Sequence, residues 1–258
     1  MDAKKVMDVR NFWNNQANLG LLAGSRDLIA KQLEIEAISS YISDGFDILD
    51  FGCGNGITAM ELARRFKIQI LGMDFAEEMV QSAKKISTGM NLRGSTNFQV
   101  GDIQSLNSHN YQYDIIYTER VIINLPNWKS QKEAILLLLS LLKPGGMYLM
   151  CENSQNGLDK INQFRKQIKL PEIIPPWHNR YLKDDEINNF DPSGICLEKI
   201  DYYSSTYYFL SRVINAGLAQ IEGNEPDYDS QINRLALSLP PYGDIGQGRI
   251  WVWRKLQV

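Results

Sequence analysis

Ile48-Leu49-Asp50-Phe51-Gly52-Cys53-Gly54-Asn55-Gly56 is a short apolar run, an acid, and then glycine at alternate positions. Thr58-Ala59-Met60-Glu61-Leu62-Ala63 follows with a helical pattern. A strand that stops at a Gly-rich turn and opens a helix builds a site for a nucleoside cofactor. The glycines admit backbone N–H groups to the ligand where any Cβ would collide. The strand end and the helix N-terminus complete the cradle.

Working outward decides which nucleoside. The dinucleotide fingerprint is Gly-x-Gly-x-x-Gly. Here the third glycine comes one place early, at Gly56, and Ile57 stands where that fingerprint has glycine. Asp50 would repel a pyrophosphate but attract an ammonium or sulfonium group. A second apolar run, Ile70-Leu71-Gly72-Met73, ends on Asp74, about twenty residues after the turn and placed to accept ribose hydroxyls. Phe98-Gln99-Val100-Gly101-Asp102-Ile103 is a third strand closing on an acid. Asp102 is placed to accept an adenine amino hydrogen, with the Ile103 N–H on a ring nitrogen.

Asp50 to Gly56, Asp74, Gly101-Asp102-Ile103 and Leu142-Lys143-Pro144-Gly145-Gly146 together resemble the motifs of class I S-adenosylmethionine-dependent methyltransferases. The resemblance covers about residues 40–155. It implies an α/β fold: a Rossmann-like, doubly wound, mostly parallel seven-stranded sheet with a reversed last strand. It also implies methyl transfer from a sulfonium to a nucleophile. The cofactor-binding set is then Asp50, Gly52, Cys53, Gly54, Asn55, Gly56, Asp74, Phe75, Met79, Gly101, Asp102, Ile103 and Thr118. The downstream part more loosely resembles methyltransferases of bacterial surface-saccharide and small-molecule biosynthesis. Many relatives carry Glu-His where this chain has Ile123-Asn124, which removes one familiar base.

The 258 residues suit one α/β domain with insertions. Expected divisions are an N-terminal helical lid over 1–45, a cofactor core over 46–153, cap insertions over 154–194 and 206–248, and a last strand over 249–254. Net charge is −3, and no basic stripe argues for nucleic acid. The longest apolar run, 135–142, is too short for a membrane span and reads as a buried helix. The N-terminus does not read as a signal peptide. Cys53, Cys151 and Cys196 are too widely spaced for a disulfide framework, which favours a cytoplasmic protein with reduced thiols. Cys53 reads as a small residue tolerated in a tight turn.

Helices and strands alternate up to Glu152, which predicts a parallel sheet. A helix over 26–42 takes Ser25 as its N-cap. Lys143-Pro144-Gly145-Gly146 reads as the break between a helix and the next strand. Beyond 152 the alternation fails. Helices are expected over part of 154–190, from Lys183, over 206–219 and over 232–239, with strands at 196–203 and 249–253. The aromatic run 202–209 is a candidate for core, sugar stacking or a homodimer seam.

Residues after each strand end should line the site. Glu119 and Glu152 are candidate bases, and His178 a third, in the loop Trp177-His178-Asn179-Arg180-Tyr181. Arg120, Asn124, Asn153, Trp177, Asn179, Arg180 and Tyr181 form the expected acceptor side, Arg120 being suited to a phosphate or carboxylate. Glu119 and Arg120 could equally form a local ion pair. His109 reads as a surface residue. No metal constellation stands out; Asp184-Asp185-Glu186 fits a helix start, where the dipole favours carboxylates. The expected activity is S-adenosylmethionine-dependent methylation of a hydroxyl on a small polar acceptor. The alternatives are an amine acceptor, a non-catalytic cofactor-binding protein, and a nicotinamide-dependent oxidoreductase.

Overall fold

A computed structural model describes residues 3–103, 106 and 111–257; His109 lies outside them. Seven strands form one sheet: β1 (Asp47–Phe51), β2 (Gln69–Asp74), β3 (Ser95–Val100), β4 (Tyr113–Glu119), β5 (Leu142–Asn153), β6 (Ile195–Asp201) and β7 (Gly248–Lys255). Their order is β3-β2-β1-β4-β5-β7-β6. The first five run parallel, and β7 is antiparallel to both its neighbours. The strand order reverses between β1 and β4, so a crevice opens at the carboxyl ends of those two strands.

The sequence explains the turn that makes this crevice. Helix α3 (Ile57–Arg65) buries Thr58, Ala59, Met60, Leu62 and Ala63 and ends on Arg64 and Arg65, which suit a helix C-terminus. Gly56 caps its N-terminus in the left-handed region at φ 75°. A Cβ on Gly56 would stand 2.6 Å from the Phe98 ring, so this glycine closes helix against sheet and does not line the crevice. A Cβ on Gly54 would instead meet nothing within 4 Å.

Two local details differ from the sequence reading. Helix α2 (Leu28–Ser39) is capped by Asp27, whose carboxylate accepts from the Ala30 N–H at 2.9 Å. Ser25 sits two residues earlier and accepts from the Asp27 N–H at 3.0 Å. Helix α5 (Trp128–Ser140) ends before Lys143, and Lys143 to Gly146 lie inside β5, where the ladder to β4 shifts register. The Gly146 position admits no side chain: a Cβ would lie 2.9 Å from the Lys143 and Tyr113 carbonyl oxygens.

Helix α1 (Ala3–Gln16) and a short 3-10 turn (Ala17–Leu22) precede α2, and α4 (Glu77–Ser87) follows β2. After β5 come α6 (Gln155–Gln167) and α7 (Asp184–Asn188). After β6, α8 (Ser205–Phe209) runs through a π-helical stretch, Leu210–Asn215, into α9 (Ala216–Glu222), and α10 (Gln231–Leu235) follows. The aromatic run is therefore not a continuous strand: β6 stops at Asp201, and Tyr207 and Tyr208 are buried on α8. Their cluster includes Ile29 of α2 and Ile161 of α6, which packs the three helices together. Among the described residues no helix is long and apolar enough to cross a membrane.

Candidate active site

Two cavities adjoin at the carboxyl ends of the strands. The first, about 550 Å³, is floored by Phe51 to Asn55 of the turn and bounded by Asp74, Phe75 and Met79. Gly101, Asp102 and Ile103 bound its far side, and Val9, Arg10 and Trp13 of α1 roof it. Its size is ordinary for a small-molecule pocket, about 300–1,000 Å³. Asp74 organises the turn: Oδ2 accepts from the Gly54 N–H at 2.9 Å and Oδ1 from the Ala76 N–H at 2.8 Å. Burial pushes its carboxyl up to about 6, against those backbone hydrogen bonds. Arg10 reaches over the Phe75 ring at 5.6 Å and lies 3.8 Å from Asp102.

Asp50 sits below the floor and does not line the cavity. It is 1% exposed, and both its oxygens are buried without a hydrogen-bond partner. Burial, and then Glu119, hold its carboxyl well above the usual range. With its anion disfavoured and its side chain away from the cavity, Asp50 does not supply the direct charge for a sulfonium that the sequence suggests. The open space over Gly54 gives the backbone there access to the ligand. Cys53 lines the cavity, and burial keeps its sulfur a thiol, with a pKa well above the ordinary value. Thr118 departs from its expected role. It is fully buried and shares a hydrogen bond with the Tyr148 hydroxyl at 2.9 Å, away from the cavity.

At the inner end of this cavity lies a buried charge cluster. Lys31 of α2 pairs with Glu119 at 2.7 Å, and Thr58 of α3 donates to the same carboxylate at 2.8 Å. Arg120 pairs with Glu34 of α2. Burial opposes the charge of Glu34, but Arg120 and Lys31 outweigh it and hold its carboxyl near 2. Glu119 is therefore an anchor that pins α2 and α3 to β4, and its oxygens are engaged by protein groups. The local Glu119–Arg120 pair is replaced by crossed pairs to α2. Arg120 itself is in the left-handed region, φ 59°, which turns its side chain toward both cavities.

The second cavity, about 300 Å³, shares Trp13, Gly24, Ser25, Lys31 and Arg120 with the first. Asn153, His178, Asn179 and Tyr181, all expected on the acceptor side, line it together, with Arg120 at the junction. His178 is 7% exposed, against the Phe12 ring at 4.6 Å and the Trp13 ring at 5.8 Å. Its Nδ1 has no hydrogen-bond partner, and burial lowers its pKa from 6.5. Asn124 lines the first cavity instead; its amide donates to the Arg120 carbonyl at 2.6 Å and accepts from Trp13 at 3.4 Å.

Three expected residues serve the scaffold. Glu152 lines neither cavity; its carboxylate accepts from the Val121 and Ile122 N–H groups at 3.0 Å and from Ile123 at 3.3 Å. It caps the 3-10 turn Ile122–Asn124, and burial pushes it up to about 7. Arg180 turns away to Glu186 at 3.0 Å and Gln131 at 2.6 Å. Trp177 is 59% exposed and lines neither cavity. Asp27, Arg212 and Gln247 also line the second cavity and were not foreseen, since they come from the N-terminal and the distant C-terminal segments. Glu34 gave one signal: a charge between Leu33 and Ile35 on an apolar helix face. Among the described residues no group of His, Cys, Asp and Glu could hold a metal.

A reversed seventh strand and a nucleoside cavity over a Gly-rich turn define a Rossmann-like transferase of the class I type. Residues 42–189, more than half of the chain, match the methyltransferase domain family, and the chain belongs to it. S-adenosylmethionine is the cofactor of this class. An O-methyltransferase of Pyrenophora dematioidea is 24% identical over 153 residues, 57% of this chain and 56% of its own length. The chain thus spans little more than half of that relative. A ubiquinone biosynthesis O-methyltransferase of Rickettsia canadensis (strain McKiel) is 27% identical over 190 residues, 69% of this chain and 74% of that one. In fold, the chain is similar to magnesium protoporphyrin IX methyltransferase from Synechocystis PCC 6803, solved with bound S-adenosylhomocysteine. The TM-score is 0.52 at 15% identity, with 88% of this chain and 82% of that chain covered.

Asp74→Ala is expected to weaken S-adenosylmethionine binding at least tenfold by calorimetry, since it removes the acceptor that organises Gly54. Unchanged affinity would show that the cofactor lies elsewhere.

Proposed function

We propose that the chain transfers the methyl group of S-adenosylmethionine to a hydroxyl of a small polar acceptor, with a saccharide, sugar nucleotide or phosphorylated metabolite as the carrier class. The observation that carries this reading is the pair of adjoining cavities, with the imidazole of His178 among the lining residues of the second. Gly52, Gly54, Asp74, Asp102 and Ile103 would hold the cofactor in the first. When bound, it supplies an already activated methyl group.

The chain then has to align the nucleophile and exclude water. Trp13 and Arg120 wall the junction between the two chambers, which suits both tasks. A hydroxyl gains from a base within reach, worth about 10²–10⁴ in rate. His178 suits that role. Burial lowers its pKa from 6.5, so the ring is neutral at pH 7 and has a nitrogen able to take a proton.

The test pairs calorimetry with a turnover assay. S-adenosylmethionine and S-adenosylhomocysteine should bind and NAD should not. Incubation with S-adenosylmethionine and hydroxylated acceptors should release S-adenosylhomocysteine. Binding of NAD in place of S-adenosylmethionine would favour an oxidoreductase, and binding without turnover a non-catalytic protein.

A further inference from the structure

The wall of the second cavity carries the cations Arg26, Lys31, Arg120 and Arg212, against the single carboxylate of Asp27. Behind the wall the charges nearly cancel, since Lys31 pairs with Glu119, Arg120 with Glu34 and Arg212 with Asp27. The sign inside the chamber is then set by which member of each pair faces it. In all three pairs the cation is the more accessible member. The Arg120 side chain is 28% exposed against 2% for Glu34, Lys31 19% against 9% for Glu119, and Arg212 15% against 6% for Asp27. Glu34 and Glu119 line no part of this cavity. Arg26 is exposed and makes no ion pair among the described residues.

These cations keep donors in reserve. A guanidinium has five N–H groups. Among the described residues Arg120 donates only to Glu34, and Arg212 only to Ser211 and Asp27. No nitrogen of either is both buried and unpartnered, so those the protein leaves unbonded have solvent access. The two guanidiniums act on the same pair of phenols: burial raises the Tyr181 and Tyr208 hydroxyls, and both cations oppose it. Arg212 is held over the Tyr228 and Tyr208 rings at 4.6 and 5.2 Å, so it loses little freedom when a ligand arrives. Arg120 holds a left-handed backbone, φ 59°, that residues with a side chain seldom adopt, and such strain collects at binding and catalytic sites.

We propose that the second cavity binds the acceptor by an anionic group, a phosphate or a carboxylate, gripped by Arg120 and Arg212 with Arg26 adding to the field. This site deepens the proposed function and rests on it for the reaction. The charge it selects rests on the cavity alone.

The test is ligand-observed NMR on the intact chain, with and without saturating S-adenosylhomocysteine. The probes are glucose 6-phosphate and glucuronate, set against glucose. At least one anionic probe should bind about tenfold more tightly than glucose, and the tighter of the two identifies phosphate or carboxylate as the anion. S-adenosylhomocysteine should not displace it. Arg212→Gln should weaken that probe at least tenfold, the loss expected for a charge-assisted hydrogen bond. Asp27→Asn keeps an N-cap for α2 but removes the one carboxylate of the wall, and should tighten binding about threefold. Arg26→Gln, at an exposed position, should weaken it about twofold. Circular dichroism and unchanged S-adenosylhomocysteine affinity check that each variant folds; should Arg212→Gln fail that check, Asp27→Asn and Arg26→Gln decide by their opposite signs. The proposal is overturned if neither anion outbinds glucose, if S-adenosylhomocysteine displaces the bound anion, which would put it in the cofactor's cavity, or if Asp27→Asn weakens binding as the arginine variants do. If S-adenosylhomocysteine fails to bind, the methyltransferase reading fails, while probe binding measured without it still decides the charge preference.

Discussion

His178→Ala should lower kcat by about 10²–10⁴ and leave the affinity for S-adenosylmethionine within a factor of about two. The separation follows from position. His178 lines only the second cavity, while Gly52, Gly54, Asp74, Asp102 and Ile103, the groups proposed to hold the cofactor, line the first. The pH profile gives a second reading of the same group. Burial disfavours the imidazolium, so the pKa falls below 6.5. The base form then persists through neutrality, and kcat/KM in the parent should be flat near pH 7. It should decline only as pH falls below 6.5, and that acid limb should vanish in the residual activity of the variant. A variant with full activity, or an acid limb that survives in it, would remove His178 from the chemistry. Because the ring packs on Phe12 and Trp13, the calorimetric control also shows that α1 stays seated.

The second large effect is on stability. Glu34→Ala should destabilise the fold by about 3–5 kcal/mol, the usual result of leaving one member of a buried ion pair uncompensated. Glu34 has 2% of its side chain exposed and answers Arg120 across the sheet end. Replacing both as Glu34→Met and Arg120→Met should recover much of the loss, because a matched apolar pair leaves no stranded charge. Chemical denaturation measures both variants; a single mutant as stable as the double would refute the coupling. The pH sign is also fixed. The folded carboxyl titrates near 2, below the ordinary 4.5. Its contribution is therefore complete above 4.5 and is lost as pH falls through 2.

The cofactor half was legible because its signals are local. The alternate glycines, Asp74 and Gly101-Asp102-Ile103 each lie at a strand end, and strand ends are readable from period and punctuation. Even there, two residues of one motif part company in space. Gly54 borders the cavity, whereas Gly56 packs on Phe98, and spacing alone does not separate them. Of the second cavity, the loop residues His178, Asn179 and Tyr181 and the strand-end residues Arg120 and Asn153 were legible. The sequence singled out Glu119 and Glu152 as acids after strands, yet their partners decide their work. Lys31 lies 88 positions from Glu119, and the N–H groups of 121–123 lie about thirty positions from Glu152. Such pairings are made by topology, and no pattern within a segment announces them. Gln247 and Arg212 escaped notice for the same reason.

Trp13 belongs to the walls of both chambers, and the helix that bears it also carries Arg10 above one and Phe12 above the other. The two compartments thus share a single ceiling beam. Raising that beam would open both chambers to water together, so on this side neither can be ventilated alone.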